Sequence, residues 1–391
     1  MLRVQTAGES HGQALLTILS GLPAGLTLDF AYVNRELRRR QGGYGRGGRM
    51  KIEADTAQFL AGVRQGQTIG APVAILIENR DWGNWKEVMA VEHAPESTAR
   101  NRPVASPRPG HADLAGCLKY DFHDARFVLE RASARETAAR VAAGALAKLL
   151  LKQFGIEVAS HVIAIGAVAL GDSSVPFDRV LALRDVEEVV LNCVEPEREL
   201  RMVEEVDRAI EARDTMGGTF EVIARGVPPG LGSYAQWDER LDGHLAQAVM
   251  SIPSVKAVEL GEGIATSQSP GSVVHDEIGY DAAQRHFTRK SNHAGGLEGG
   301  VSNGEDIIVR GYAKPISTLR RPLESVTLAT RETVKAAYER SDVCAVPAAG
   351  VVGEAMVALV LGRAFLEKFG GDSLKETGKN FEGYLQQLQE Y

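Results

Sequence analysis

Residues 136–154 read ETAARVAAGALAKLLLKQF. Ala and Leu dominate the stretch, and Gly155 follows where a helix ends most readily in a left-handed residue. A helix that is apolar over most of its circumference has no face for solvent, so this one is predicted to be buried, with sheet on both sides. Residues 353–369, GEAMVALVLGRAFLEKF, have the same character and stop before Gly370. Both stretches close on a Phe-Gly pair, a faint sign of two related halves. Strands are predicted at 72–78 (PVAILIE), 157–168 (EVASHVIAIGAV), 219–225 (TFEVIAR) and 306–310 (DIIVR). The charge-rich stretch 196–213 reads as an exposed helix. The connections are irregular and Gly-rich, unlike those of a regularly wound parallel sheet. The predicted fold is therefore α+β, with long apolar helices buried between antiparallel sheets, and no composition shift divides residues 1–391 into domains.

The 391 residues hold 44 Lys+Arg against 51 Asp+Glu, a net charge of -7, with 24% charged and 44% apolar residues. That balance belongs to a globular protein and disfavours a surface built to hold nucleic acid or anionic lipid. Cys117, Cys193 and Cys344 are too few and too scattered for a disulfide framework or a cysteine zinc site. The opening MLRVQT carries no signal-like apolar stretch. The best apolar run, 351–365, is broken by Gly353, Glu354, Gly362 and Arg363. A cytoplasmic protein is expected.

One block contradicts the acidic total. RELRRRQGGYGRGGR, residues 35–49, contains Arg35, Arg38, Arg39, Arg40, Arg46 and Arg49 with a single acid. A charge run is usually a solvated face. Arg alone, interleaved with Gly, instead suits an anion site, because the guanidinium fork matches phosphate and carboxylate and Gly lets backbone amides approach. Two short motifs in this region mislead. Gly43 to Gly48 fits G-x-G-x-x-G, yet a helical pattern precedes it and a strand-like one follows, the reverse of a dinucleotide fold. Gly8-Glu9-Ser10-His11-Gly12 fits the nucleophile elbow of hydrolases, but only seven residues precede it.

Of nine histidines, His93, His161 and His286 read as surface or satisfied core residues, whereas His11 and His111 stand in polar loops. His111 lies in Arg108-Pro109-Gly110-His111-Ala112-Asp113, where Pro and Gly shape the loop and Arg and Asp flank the imidazole. A histidine beside bound anions is a natural proton donor. ERASARET, residues 130–137, opens the first long helix, and its N-terminus with Arg131 and Arg135 offers a second anion cradle, or else surface ion pairs. The polar, Gly-rich segment 288–304 suits a loop that closes over a ligand, or a mobile surface loop. Together these features describe a site for a polyanionic small molecule and an enzyme that handles phosphate. A serine hydrolase using Ser10 and an RNA-binding module using residues 35–49 remain the alternatives; the latter lacks stacking partners beyond Tyr44.

GESHG, RRRQGGYGRGGRM, RPGHAD, ERASARETAAR, TRKSNHAGGLEGGVSNG and RSD occur in this order between residues 8 and 342. Taken together they resemble chorismate synthase. The resemblance implies a β-α-β sandwich assembled as a homotetramer. It also implies a 1,4-anti elimination of phosphate from 5-enolpyruvylshikimate 3-phosphate with reduced FMN, reduced by NADPH or by a separate flavin reductase. By the same resemblance His11 protonates the leaving phosphate, His111 protonates reduced FMN, and Asp342 assists proton removal. Ser10, Arg40, Arg46 and Arg135 hold substrate anions, and Arg40 and Arg46 also mark the NADP site. Flavin contacts fall on Arg131, Ala132, Ser133, Pro253, Ser254, Gly299, Lys314, Pro315, Ile316, Ser317, Thr318 and Arg340; no metal is implied. Val343 stands where some relatives carry Pro.

Overall fold

The computed structural model describes residues 1–47, 53–92, 103–171, 175–186, 190–339 and 342–391. Arg49, His93 and Arg340 lie outside the described residues, as does most of the strand-like segment after the glycines.

Two antiparallel sheets frame the molecule. The first orders β1 (Arg3–Ala7), β2 (Ala14–Ser20), β4 (Val73–Glu78) and β3 (Gln58–Ala61). The second runs β8 (Val255–Leu260), β9 (Ile307–Ala313), β7 (Gly218–Arg225), β5 (Glu157–Ile165) and β6 (Val168–Ala169). The predicted strand at 157–168 is thus two strands, because Gly166, at φ 55°, turns the chain back on itself.

Helices pack against one another and against both sheets. α1 (Phe30–Gln41) starts where the Asp29 side chain accepts from the Tyr32 amide, and it carries Arg38, Arg39 and Arg40 in its last turn. α2 spans Asp113–Tyr120 and α3 spans Arg126–Ala132. α4 (Thr137–Lys152) covers β2 and β4 and packs along α6 (Val346–Phe369), which covers β5 and β7. The Ser133 side chain caps a single 3-10 turn before α4 by accepting from the Arg135 amide. α6 begins seven residues earlier than predicted, since Pro347 is tolerated in a first helical turn. Its 24 residues are long and apolar enough to cross a membrane, contrary to the sequence expectation, but 72% of its most apolar window is buried inside the protein. α5 (Pro196–Glu211) is not merely an exposed helix: it buries Met202, Val206 and Ala209.

One apolar cluster runs from Leu15 and Leu19 through Leu146, Leu150, Val357 and Leu361 to Phe220 and Val222. Each fully buried Leu or Val contributes roughly 1.5–3 kcal/mol. Charge is buried in the same layer. Lys148 Nζ donates to Glu36 Oε2 (2.5 Å) and to Glu354, and Arg39 Nη2 (2.7 Å) and Ser160 Oγ (2.7 Å) donate to Glu354 Oε1. Arg184 stands 3.5 Å from the same carboxylate.

Candidate active site

The loop Gly8–Gly12 joins two antiparallel strands, β1 and β2. Gly8 adopts φ 104°, and a Cβ there would stand 2.3 Å from the Ala14 carbonyl, so only glycine permits the turn. Asn79 at the end of β4 holds the loop: its Nδ2 donates to the Glu9 (3.1 Å) and Gly12 (2.7 Å) carbonyls. From the other side, the Ser10 amide donates to the Glu130 carbonyl (2.9 Å) and the His11 amide to Glu130 Oε2 (2.9 Å). Strand-loop-strand is not a nucleophile elbow, which needs a strand running into a helix. The His11 imidazole bonds Glu130 and stacks on Trp85 at 3.9 Å, so the serine hydrolase reading loses both its backbone geometry and its base.

His11 and Ser10 face a cavity of about 890 Å³, which Arg40, Arg46, Arg108, Arg126, Arg135, Lys314 and His111 also line. That volume lies near the top of the ~300–1,000 Å³ range of small-molecule sites. Arg40 and Arg135 share one anion behind the wall: Arg40 Nη2 reaches Asp55 Oδ2 (2.7 Å) and Arg135 Nη1 reaches Asp55 Oδ1 (2.6 Å). Arg135 Nε also donates to Asn79 Oδ1 (2.9 Å). Burial pushes the Asp55 carboxyl up, but the two guanidiniums outweigh it and hold the group below its usual range. Arg40 is pushed down, first by burial and then by the neighbouring Arg135 and Arg46 charges. Asp55 thus bridges the two guanidiniums that line the cavity. Arg40 Nε and Arg135 Nη2 are buried without a hydrogen-bond partner, although Glu53 stands 3.7 Å from the latter.

The second imidazole lines the same cavity. His111 Nδ1 is 2.5 Å from Asp113 Oδ1, and Arg108 donates from Nε to Asp113 Oδ2 (2.8 Å) and from Nη1 to Thr318 Oγ1 (2.9 Å). Asp113 is fully buried; its burial raises the carboxyl pKa, yet His111 and Arg108 outweigh that and hold it far below the ordinary range. Asp113, an acceptor, assigns the Nδ1 proton to His111, while Arg108 Nη2 lies 3.5 Å from Nε2. Asp342 completes the wall, accepting from the Gly47 amide (2.6 Å) and pairing with Arg46 (3.0 Å).

A family model for chorismate synthase matches residues 2–366. Chorismate synthases of Acidobacterium capsulatum and Koribacter versatilis are each 62% identical, and that of Geobacter sulfurreducens is 54% identical, over the full length of both chains. A crystal structure of chorismate synthase superposes with a TM-score of 0.80 at 42% identity, covering 100% of this chain and 99% of that one. The chain belongs to the chorismate synthase family.

Of the residues expected from that family's motifs, His11, His111, Asp342, Ser10, Arg40, Arg46 and Arg135 meet around the one cavity. Ala132, Ser133, Pro253, Ser254, Lys314, Ile316, Ser317 and Thr318 line it too. Ser254 takes φ 74°, a strained value for a residue with a side chain, and its carbonyl accepts from the Lys314 amide (2.9 Å), which joins the 253–254 and 314–318 segments. Three expected residues lie elsewhere in the single chain. Arg131 turns away and donates to the Gly8 (3.1 Å) and Thr6 (3.1 Å) carbonyls. Pro315 is not among the lining residues, although Ala313, Lys314, Ile316, Ser317 and Thr318 around it are. Gly299 forms the exposed turn of a hairpin, Leu297–Glu298 with Val301–Ser302, and the 288–304 segment folds around Asp276 rather than over the cavity. The RNA-binding reading fails for a related reason. Arg39, Arg40 and Arg46 point inward to carboxylates; of the block's described arginines only Arg35 and Arg38 are exposed.

Sequence reasoning missed Asp55, Asn79, Trp85, Arg126 and Glu130 as site residues. Only Glu130 carried a signal, as the first residue of a family motif. The others sit in segments with no motif of their own. Among the described residues no cluster of His, Cys, Asp or Glu could hold a metal.

Proposed function

We propose that this chain performs the chorismate synthase reaction, the 1,4-anti elimination of phosphate and a C6 proton from 5-enolpyruvylshikimate 3-phosphate. The observation that carries the reading is two imidazole–carboxylate pairs, His11–Glu130 and His111–Asp113, on the walls of a single arginine-lined cavity. Arg40, Arg46 and Arg135 bind the substrate's phosphate and carboxylates, and stronger pairing with the departing dianion than with the bound ester lowers the barrier. His11 delivers a proton to the leaving phosphate. Asp342, oriented by Arg46 and the Gly47 amide, assists removal of the C6 proton.

The residues present fit reduced FMN. Lys314 suits its phosphate, and Ala132, Ser133, Pro253, Ser254 and 316–318 offer a half-apolar wall for its ring. When bound, reduced FMN supplies an electron transiently to the allylic system as phosphate departs. His111, fixed by Asp113, holds a proton at the edge of that site. Gly299, Arg131 and Arg340 are assigned flavin contact by family pattern alone, and Gly299 reaches a flavin only across a subunit boundary of the expected homotetramer. Reduced FMN comes from a separate reductase or from reduction by NADPH bound at Arg40 and Arg46. The stacking of helices between two sheets around one core supports a single β-α-β sandwich domain, and a reducing cytoplasm suits three buried free cysteines.

Anaerobic incubation with dithionite-reduced FMN and 5-enolpyruvylshikimate 3-phosphate should release inorganic phosphate and form chorismate. Absence of phosphate release under those conditions refutes the reading.

A further inference from the structure

Among the buried ionisable groups that the proposed chemistry does not use, Glu130 makes the most specific contacts with it. Its carboxylate is 2% exposed and receives donors from two segments. His11 donates its amide to Oε2 (2.9 Å), and His11 Nδ1 stands 2.9 Å from Oε2 and 3.0 Å from Oε1. Arg126 Nη1 donates to Oε1 (2.9 Å). The face of the imidazole is held as firmly as its edge: the Trp85 ring stacks on it at 3.9 Å and 25°, with the Arg126 guanidinium 5.1 Å over the same indole. Trp85 Nε1 donates to Asp81 (3.0 Å), and Arg126 Nη2 to Glu339 (3.1 Å). The charged groups around His11 are thus Glu130, Arg126, Asp81 and Glu339, with Glu9 on its own loop. Among the described residues only Glu130 hydrogen-bonds the ring.

We propose that Glu130 is a positioning residue for His11: it fixes the Nδ1–H form, leaves Nε2 to the cavity and keeps the imidazole basic enough to carry a proton to the departing phosphate. The proposal rests on the reading of His11 as the proton donor. Burial raises the Glu130 carboxyl pKa, but the bonds from His11 and then Arg126 outweigh it and keep the group ionised at neutral pH. A carboxylate at this distance favours imidazolium over imidazole, an effect that Arg126 on Oε1 reduces without cancelling, because His11 Nδ1 also meets Oε2. The same carboxylate also holds the His11 amide, so charge and geometry are set by one group.

The test is Glu130→Gln, read by NMR titration of His11 in protein labelled at histidine Cε1, with the signal assigned through His11→Asn. The carboxylate's loss should lower the His11 midpoint by at least about one pH unit. The corresponding limb of kcat against pH should move down by the same amount, with KM changed less than about twofold. Glu130→Asp should recover most of the shift. Arg126→Met, which leaves Glu130 with fewer competing donors, should move the midpoint up, and it keeps the proposal testable if the amide variant does not fold. An unchanged midpoint in folded Glu130→Gln, or no rise in Arg126→Met, overturns the proposal. A shifted midpoint with an unmoved kcat profile upholds the positioning role and overturns His11 as the proton donor.

Discussion

Each imidazole at the cavity rests on a buried carboxylate through Nδ1, and each carboxylate is tied in turn to an arginine, Arg126 for Glu130 and Arg108 for Asp113. This arrangement fixes a tautomer that solvent would leave free to exchange, in two rings that both line the cavity. It also separates activity from stability at His111. The ring is partly exposed, so its removal leaves no apolar cavity, and the Arg108–Asp113 pair survives without it. His111→Ala should lower kcat by about 10²-fold or more while the melting temperature stays within a few degrees of wild type. Turnover near the wild-type rate in that variant would remove His111 from the site.

At the scale of elements, α4 and α6 approach each other closely. A Cβ at Gly144 would stand 2.3 Å from the Ala355 Cβ and 2.9 Å from the Ala355 carbonyl, so the two helices meet over a glycine. Alanine is the better helix former by about 1 kcal/mol, but pushing apart two helices that are each packed on a sheet costs about 1–3 kcal/mol. Gly144→Ala should therefore be net destabilising, with a lower urea midpoint and an unchanged m-value; a raised midpoint would show that the layers have slack there. The consequence reaches the site, because Val352 on α6 and Thr137 at the start of α4 both line the cavity.

Across the whole molecule, a net charge of -7 coexists with a cationic cavity because the arginines are sorted by direction. Arg39 and Arg40 are adjacent on α1, about 100° apart around the helix axis. One points into the ion cluster between the layers and the other toward Asp55 and the cavity. In that cluster burial raises Glu36 and Glu354, but the Lys148 and Arg39 charges outweigh it and hold both carboxyls low. Because their folded pKa values lie below the unfolded ones, this stabilisation is present at neutral pH and is lost as pH falls through the folded values. Lys148→Met should cost about 3–5 kcal/mol at pH 7, read by chemical denaturation, because it leaves two buried carboxylates short of a partner. A loss below about 1 kcal/mol would mean that Arg39 and Arg184 suffice.

The sequence by itself determined the long apolar helices, the antiparallel strands between turn glycines, and the ordered motifs that carry the family. These are properties of local spacing and composition. It also placed His11, His111 and Asp342 in polar loops, and the structure assembles those loops around one cavity. What only the tertiary structure decided is which charges serve the ligand and which serve the core. Arg40 and Arg135 act together because Asp55, from a segment with no motif, stands between them. Glu130 meets His11 across 119 residues of chain, and Arg131 beside it turns back to β1. A side chain's direction depends on the helix phase and on the layer packed against it, and neither is a property of the residues on either side of it.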